Sequence, residues 1–188
     1  MNYQHYWETG INHDTYNQQF QQKADKPEDW EYGQYIPLNF SRSQRLNKTF
    51  KLKPEEIHLL KKAKKQLWIV ISEHWCGDAS QIVPVMRKMS ESSNGQIEMR
   101  LILRDDYPEL IESHLTNGSK SVPKIIQLDP NFHLINDWGP RPVEAQQIVN
   151  DWKKDPNAKP HYAETLHKWY AMDKQQRITS ELLNFIDY

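Results

Sequence analysis

The apolar run Leu67-Trp68-Ile69-Val70-Ile71 passes through Glu73-His74-Trp75-Cys76-Gly77-Asp78-Ala79-Ser80 into a segment with Ile82, Val83, Val85, Met86 and Met89 at helical spacing. This order restricts the fold more than any other feature of the chain. A short run that is apolar on both faces predicts a central, parallel strand. The tight turn after it carries Cys76, the only cysteine in 188 residues, to the start of the next helix. Unpaired N–H groups and the positive end of the helix dipole favour a thiolate there. Asp78, in the first turn, is expected to cap the helix, and its charge opposes the neighbouring thiolate. Cys76 is therefore expected to be accessible, with a pKa lowered by about one unit or less. Arg141 or His74 could supply a countercharge to the thiolate.

The remaining elements follow from punctuation and period. Asp14 to Lys23 reads as a short polar helix. Trp30, Tyr32, Tyr35 and Phe40 could form a ligand platform, but they are expected instead to pack an N-terminal arm onto the core. Pro54, with Glu55 and Glu56, opens a helix that ends in lysines. A second strand spans Ile97 to Leu103. Pro108 starts a helix carrying Leu110, Ile111 and Leu115, which Asn117-Gly118 closes. Ile125–Leu128 and Phe132–Ile135 read as a hairpin with a three-residue loop. Trp138-Gly139-Pro140-Arg141-Pro142 is a rigid loop before a helix with Ile148, Val149 and Trp152. The core order is α-β-α-β-α-β-β-α, which right-handed crossovers turn into a sheet with helices on both faces and an antiparallel last strand. Residues 156–160 read as a Pro-containing linker. Residues 161–188 read as a long helix or a broken pair, with Tyr162, Leu166, Trp169, Tyr170, Ile178, Leu182 and Ile186 as an apolar stripe that packs on its own domain.

The pentad Trp-Cys-Gly-x-x resembles the active-site turn of the thioredoxins, Trp-Cys-Gly-Pro-Cys, with Asp78 in the proline place and Ala79 in place of the second cysteine. Pro84, eight residues after Cys76, matches the proline of that family's active-site helix. Ser121-Val122-Pro123 before Ile125 matches its cis-proline loop. The resemblance covers roughly residues 54 to 155 and extends to bacterial thioredoxin-like proteins bearing Trp-Cys-Gly-Asp. It implies a thioredoxin-like three-layer α/β/α fold with a mixed central sheet, lacking the family's usual first strand. An N-terminal extension (1–52), a core (53–155) and a C-terminal helical extension (156–188) complete the expected organisation. The resemblance also implies that Arg141 lies near the active turn, and that Trp75, Val122, the cis Pro123 and Gly139 border a groove for an extended peptide.

Dithiol exchange needs a second thiol to resolve the mixed disulfide. Ala79 cannot do so, and Val70 stands where thioredoxins bury an acid that helps the resolving cysteine. Two functions remain. In one, Cys76 is a monothiol nucleophile that attacks mixed disulfides or sulfenic acids of proteins and peptides, and an external low-molecular-weight thiol regenerates it. In the other, the fold is a binding module that holds a peptide or protein partner in the cis-proline groove. Neither requires a bound cofactor. The types His74, Cys76 and Asp78 could ligate a metal, but a strand-to-helix turn does not aim them at one centre, so no metal is expected. None of the eight histidines falls in a motif of cysteine hydrolases. A net charge of -1 gives no reason to expect nucleic acid or a membrane surface as partner. No apolar stretch approaches the ~20 residues that span a bilayer, and the N-terminus has no signal pattern. With a single thiol, these features predict a cytoplasmic protein.

Overall fold

The computed structural model describes residues 1–155, 157 and 162–188, with Tyr162 described by its backbone alone. The linker expected at 156–160 lies, Asn157 apart, outside the described residues. Strand β1 (Gln66–Ser72) is buried along its whole length. It pairs in parallel with β2 (Ile97–Leu103) and antiparallel with β3 (Lys124–Leu128), which pairs antiparallel with β4 (Leu134–Trp138). The sheet order is β2-β1-β3-β4. The unalternating run Trp68–Ile71 is thus accounted for by a strand with neighbours on both edges and apolar packing on both faces. The outer edge of β2 carries an isolated antiparallel bridge between Ile11 and Leu101.

Helices flank this mixed sheet. The chain opens with α1 (Tyr3–Thr9), α2 (His13–Asp25) and α3 (Ile36–Thr49). Next come α4 (Pro54–Leu60), α5 (Ala79–Ser92), α6 (Pro108–Glu112) and α7 (Val143–Lys154). The C-terminal stretch is the broken pair, α8 (Tyr162–Asp173) and α9 (Gln176–Phe185). Lys174 and Gln175 turn the chain between them at φ 51° and 66°, and the Asp173 carboxylate accepts the Arg177 N–H. No helix among the described residues is long and apolar enough to cross a membrane.

Three local expectations need correction. Helix α6 stops at Glu112 and leaves Leu115 exposed. Asn117-Gly118 does not end it but forms its own two-residue turn, closed by reciprocal 3.0 Å bonds between Thr116 and Ser119. Both central residues have positive φ, which is the backbone that Asn-Gly suits. The β3–β4 loop has five residues rather than three, because Asp129 Oδ1 accepts the N–H groups of Asn131 and His133 and holds the chain in a wider turn. Strand β4 therefore starts at Leu134 and reaches Trp138. Finally, Trp30, Tyr32 and Tyr35 do not pack on the core: they are 46%, 46% and 55% exposed. The arm is instead held by Tyr6, Tyr16, Phe20, Ile36 and Leu46, all buried, with Tyr16 Oη bonded to Ser72 Oγ at 2.9 Å.

One apolar core unites the three stretches. Leu166, Tyr170, Ile178, Leu182 and Ile186 are buried in it beside β1 and α5 residues, and the Lys64 N–H donates to Asp187 O at the C-terminal end. Leu182→Ala should therefore lower global stability by about 2–5 kcal/mol, as large-to-small core changes do, in a single urea transition. If α9 were an independent appendage, the main transition would not move.

Candidate functional site

The turn after β1 brings Cys76 to the start of α5, where the Ala79 N–H points at Sγ from 3.5 Å. The thiol itself donates to Val122 O at 3.2 Å, and the Val122–Pro123 peptide is cis. Cys76 is only 7% exposed. The expectation of an accessible, slightly activated thiol is corrected by this packing. Burial, and then the Asp78 charge, push the Cys76 pKa up to about 12, against smaller opposing effects of the Ala79 N–H and Arg141. The resting group is a neutral thiol.

Asp78 does not act as the expected cap, since its side chain makes no bond to the helix N-terminus. Its carboxylate is buried, with Arg141 Nη2 at 2.6 Å and Tyr170 Oη donating at 2.7 Å. Arg141 is thus the counterion of Asp78, not chiefly of the thiol. Burial and the Asp78 charge raise the Tyr170 pKa, so the phenol stays protonated and can donate. Two glycines permit this closeness. A Cβ on Gly139, whose φ is +123°, would lie 2.3 Å from Pro123 O, so only glycine lets the Arg141 loop pack on the Pro123 backbone. A Cβ on Gly77 would meet the His167 ring of α8 at 2.9 Å.

His74 supplies no countercharge either. Its ring lies between Tyr16 and Phe20, with centroids 4.3 and 4.7 Å away, and Nε2 donates to Tyr16 O at 3.2 Å. Burial pushes its pKa down to about 3, so it is neutral. Glu73 accepts the Asp105 N–H, and burial pushes its pKa up to about 7. The side chains of His74, Cys76 and Asp78 engage three different parts of the fold, and no group of three metal-ligating side chains occurs among the described residues.

Above Cys76 opens a cleft of ≈ 510 Å³ between α3, the motif turn and α8. Tyr32, Tyr35, Leu38, Arg42, Trp75 and His167 are among the residues that line it. The Trp75 ring is flanked by Tyr32, 5.2 Å between centroids, and by the Arg104 guanidinium at 4.7 Å. Asn39 Nδ2 donates to Trp75 O at 2.8 Å, fixing α3 to the turn. Of the residues expected at the site, Trp75, Cys76, Asp78 and Arg141 line this cleft. Val122, Pro123 and Gly139 lie behind Cys76, and Val122 is 4% exposed with its carbonyl taken by the thiol. Tyr32 and Tyr35, for which the sequence favoured packing over a ligand platform, line the cleft, and Arg42, His167 and Tyr170 were not expected at the site. The cluster of aromatics before α3 was the only available signal for any of them.

The sequence model of the family described as thioredoxin matches residues 27–153. Among solved structures, a protein of unknown function from Pseudomonas aeruginosa superposes with a TM-score of 0.62 at 15% identity, over 94% of this chain and 92% of its own. An HIV epitope-scaffold superposes with a TM-score of 0.61 at 14% identity, over 98% and 96% of the two chains. At such identities these likenesses concern the fold alone. No curated protein matches the chain.

Burial around the site makes stability depend on pH. His13, His74 and His167 have pKa values pushed down to about 4, 3 and 4, chiefly by burial. Each takes up a proton below its ordinary value near 6.5 when unfolded but not when folded. Their stabilisation is complete above that value and is lost as pH falls toward 4. Glu73, raised to about 7, acts in the opposite sense between 4.5 and 7 and offsets one of the three. The urea midpoint should therefore fall steadily from pH 6.5 to pH 4.5, and less so in His74→Gln. A midpoint that is flat over this range would mean that the histidines are solvated.

Proposed function

Because the chain belongs to the thioredoxin family but holds its one thiol protonated at the floor of a cleft, we propose that it is a binding member of that family, with its ligand held above Cys76. The observation that carries this reading is the Cys76 S–H bonded to Val122 O, buried, with the Asp78 carboxylate beside it. An exchange catalyst needs the opposite environment: an exposed sulfur and neighbours that stabilise its anion. The absence of a second thiol at Ala79 and of an acid at Val70 agrees with a fold whose exchange chemistry has been given up. The cleft, rather than the groove at Val122, is the available ligand surface, since the Val122 carbonyl is already engaged.

A second reading is supported by the Ala79 N–H directed at Sγ and by the position of Cys76 on the cleft wall. Here the Cys76 thiolate attacks one sulfur of a mixed disulfide. A new S–S bond forms as the old one breaks, and the departing thiolate takes a proton. A small external thiol then attacks the Cys76 disulfide and returns Cys76 to the thiol. In this reading the oxidised substrate supplies the oxidising equivalents, and the small thiol is the reductant.

The rate of iodoacetamide alkylation against pH separates the two, because there is only one cysteine to modify. The binding reading predicts slow labelling at neutral pH and a rate that still climbs above pH 10, without a plateau. A plateau below the ordinary thiol value of about 8.5 would establish an activated nucleophile and overturn the reading. Asp78→Asn should shift the profile to lower pH, at a cost of about 3–5 kcal/mol in stability from breaking the buried ion pair with Arg141. An unshifted profile in a folded variant would show that the carboxylate does not act on the sulfur.

A further inference from the structure

We propose that the cleft over Cys76 takes a small organic anion with an aromatic or apolar body, and that the Arg42 guanidinium is its anchor. This rests on the binding reading above and adds to it the chemical class of the ligand.

Arg42 is half-buried and bonded to neutral acceptors, Asn39 Oδ1 at 3.1 Å and His167 Nε2 at 3.0 Å. His167 is neutral, with a pKa pushed down to about 4 by burial and then by Arg42 itself. No carboxylate lies within ion-pair distance of Arg42 among the described residues, and the charge that acts on it most is another cation, Arg45. A guanidinium withdrawn from water without a counterion is undercompensated, and its planar fork matches a carboxylate or a similar oxyanion. The other charged residues lining the cleft, Asp78 and Arg141, neutralise each other. Among the described residues that line it, the cleft therefore carries one net positive charge, and Arg42 provides it.

The walls supply the second half of the recognition. Tyr32, Tyr35 and Leu38 are each about half exposed, and all three border this one cleft, with Trp75 and Leu166 deeper in. Such a cluster of exposed large apolar side chains marks a binding surface. Tyr32 is also held in the left-handed region, at φ 59° and ψ 18°, where a bulky residue is rarely found. Gly33 next to it is pressed so closely on the Pro27 carbonyl that a Cβ would lie 1.8 Å from the oxygen. The local packing thus imposes the Tyr32 conformation, and that conformation places the ring against Trp75 at the cleft mouth. Backbone strain held in place by its surroundings is common at ligand clamps. The volume, ≈ 510 Å³, is that of a small-molecule site.

Two fluorescent probes test this on the full chain: 8-anilinonaphthalene-1-sulfonate, an aromatic anion, and N-phenyl-1-naphthylamine, its uncharged counterpart. The inference expects the anionic probe to bind one per chain, to slow alkylation of Cys76, and to be displaced by 4-phenylbutyrate but not by 4-phenylbutanol. Arg42→Gln should weaken the anionic probe at least tenfold and leave the neutral one within twofold, and Arg42→Lys should recover part of the loss. Equal binding of both probes, or an anionic affinity that Arg42→Gln does not change, would overturn the anion assignment and leave the binding reading standing. If neither probe binds the wild-type chain near Cys76, the binding reading fails with it.

Discussion

The Asp78 carboxylate, taken out of water and held by the Arg141 guanidinium and the Tyr170 hydroxyl, is the contact on which the arrangement of this protein depends. Three remote segments meet there: the motif turn after β1, the loop after β4, and helix α8. A buried ion pair adds little net stability, because desolvation offsets the attraction. Removing one partner is costly because the other charge is then stranded. Such a contact therefore selects one packing of the segments over others. Here it selects the packing that brings α8 onto Gly77, leaves no room for a side chain there, and closes one wall of the cleft.

The same contact sets the character of the thiol. In an open site at a helix start, the dipole and the N–H groups would favour the sulfur anion. In this chain α3 and α8 cover the turn, the thiol is directed to the Val122 carbonyl, and a fixed carboxylate lies close by. Burial outweighs the helix. In the binding reading proposed above, the family's scaffold is kept without its exchange chemistry, while the helices outside the sheet form an apolar surface around Trp75. The cost of an undercompensated Arg42 and a left-handed Tyr32 is concentrated at that surface.

Much of the fold was legible in the sequence. The unbroken apolar run at 67–71, the helical spacing after Ala79 and the prolines at 54 and 108 each mark an element through local physics, and the order of these elements restricts the topology. Asn117-Gly118 was misread because the same dipeptide suits a helix end and a tight turn, and only the Thr116–Ser119 pairing decides between them. The site was less legible because its determinants are not local. Asp78 looks like a cap until Tyr170, 92 residues away, is placed beside it. The pKa of Cys76 follows from how deeply two terminal helices bury it, and no pattern near residue 76 encodes that depth. Tyr32 and Tyr35 resembled packing residues because an aromatic on a cleft wall and one in a core have the same side chain.

The central claim is that Asp78 and Tyr170 act as one unit that fixes α8 on the motif turn. A double-mutant cycle of Asp78→Asn and Tyr170→Phe, followed by urea unfolding, measures that coupling directly. The account predicts a coupling of about 1.5–3 kcal/mol, the range for a hydrogen bond to a charged group. Additivity within about 0.5 kcal/mol would contradict it, because the two side chains would then stabilise the fold independently.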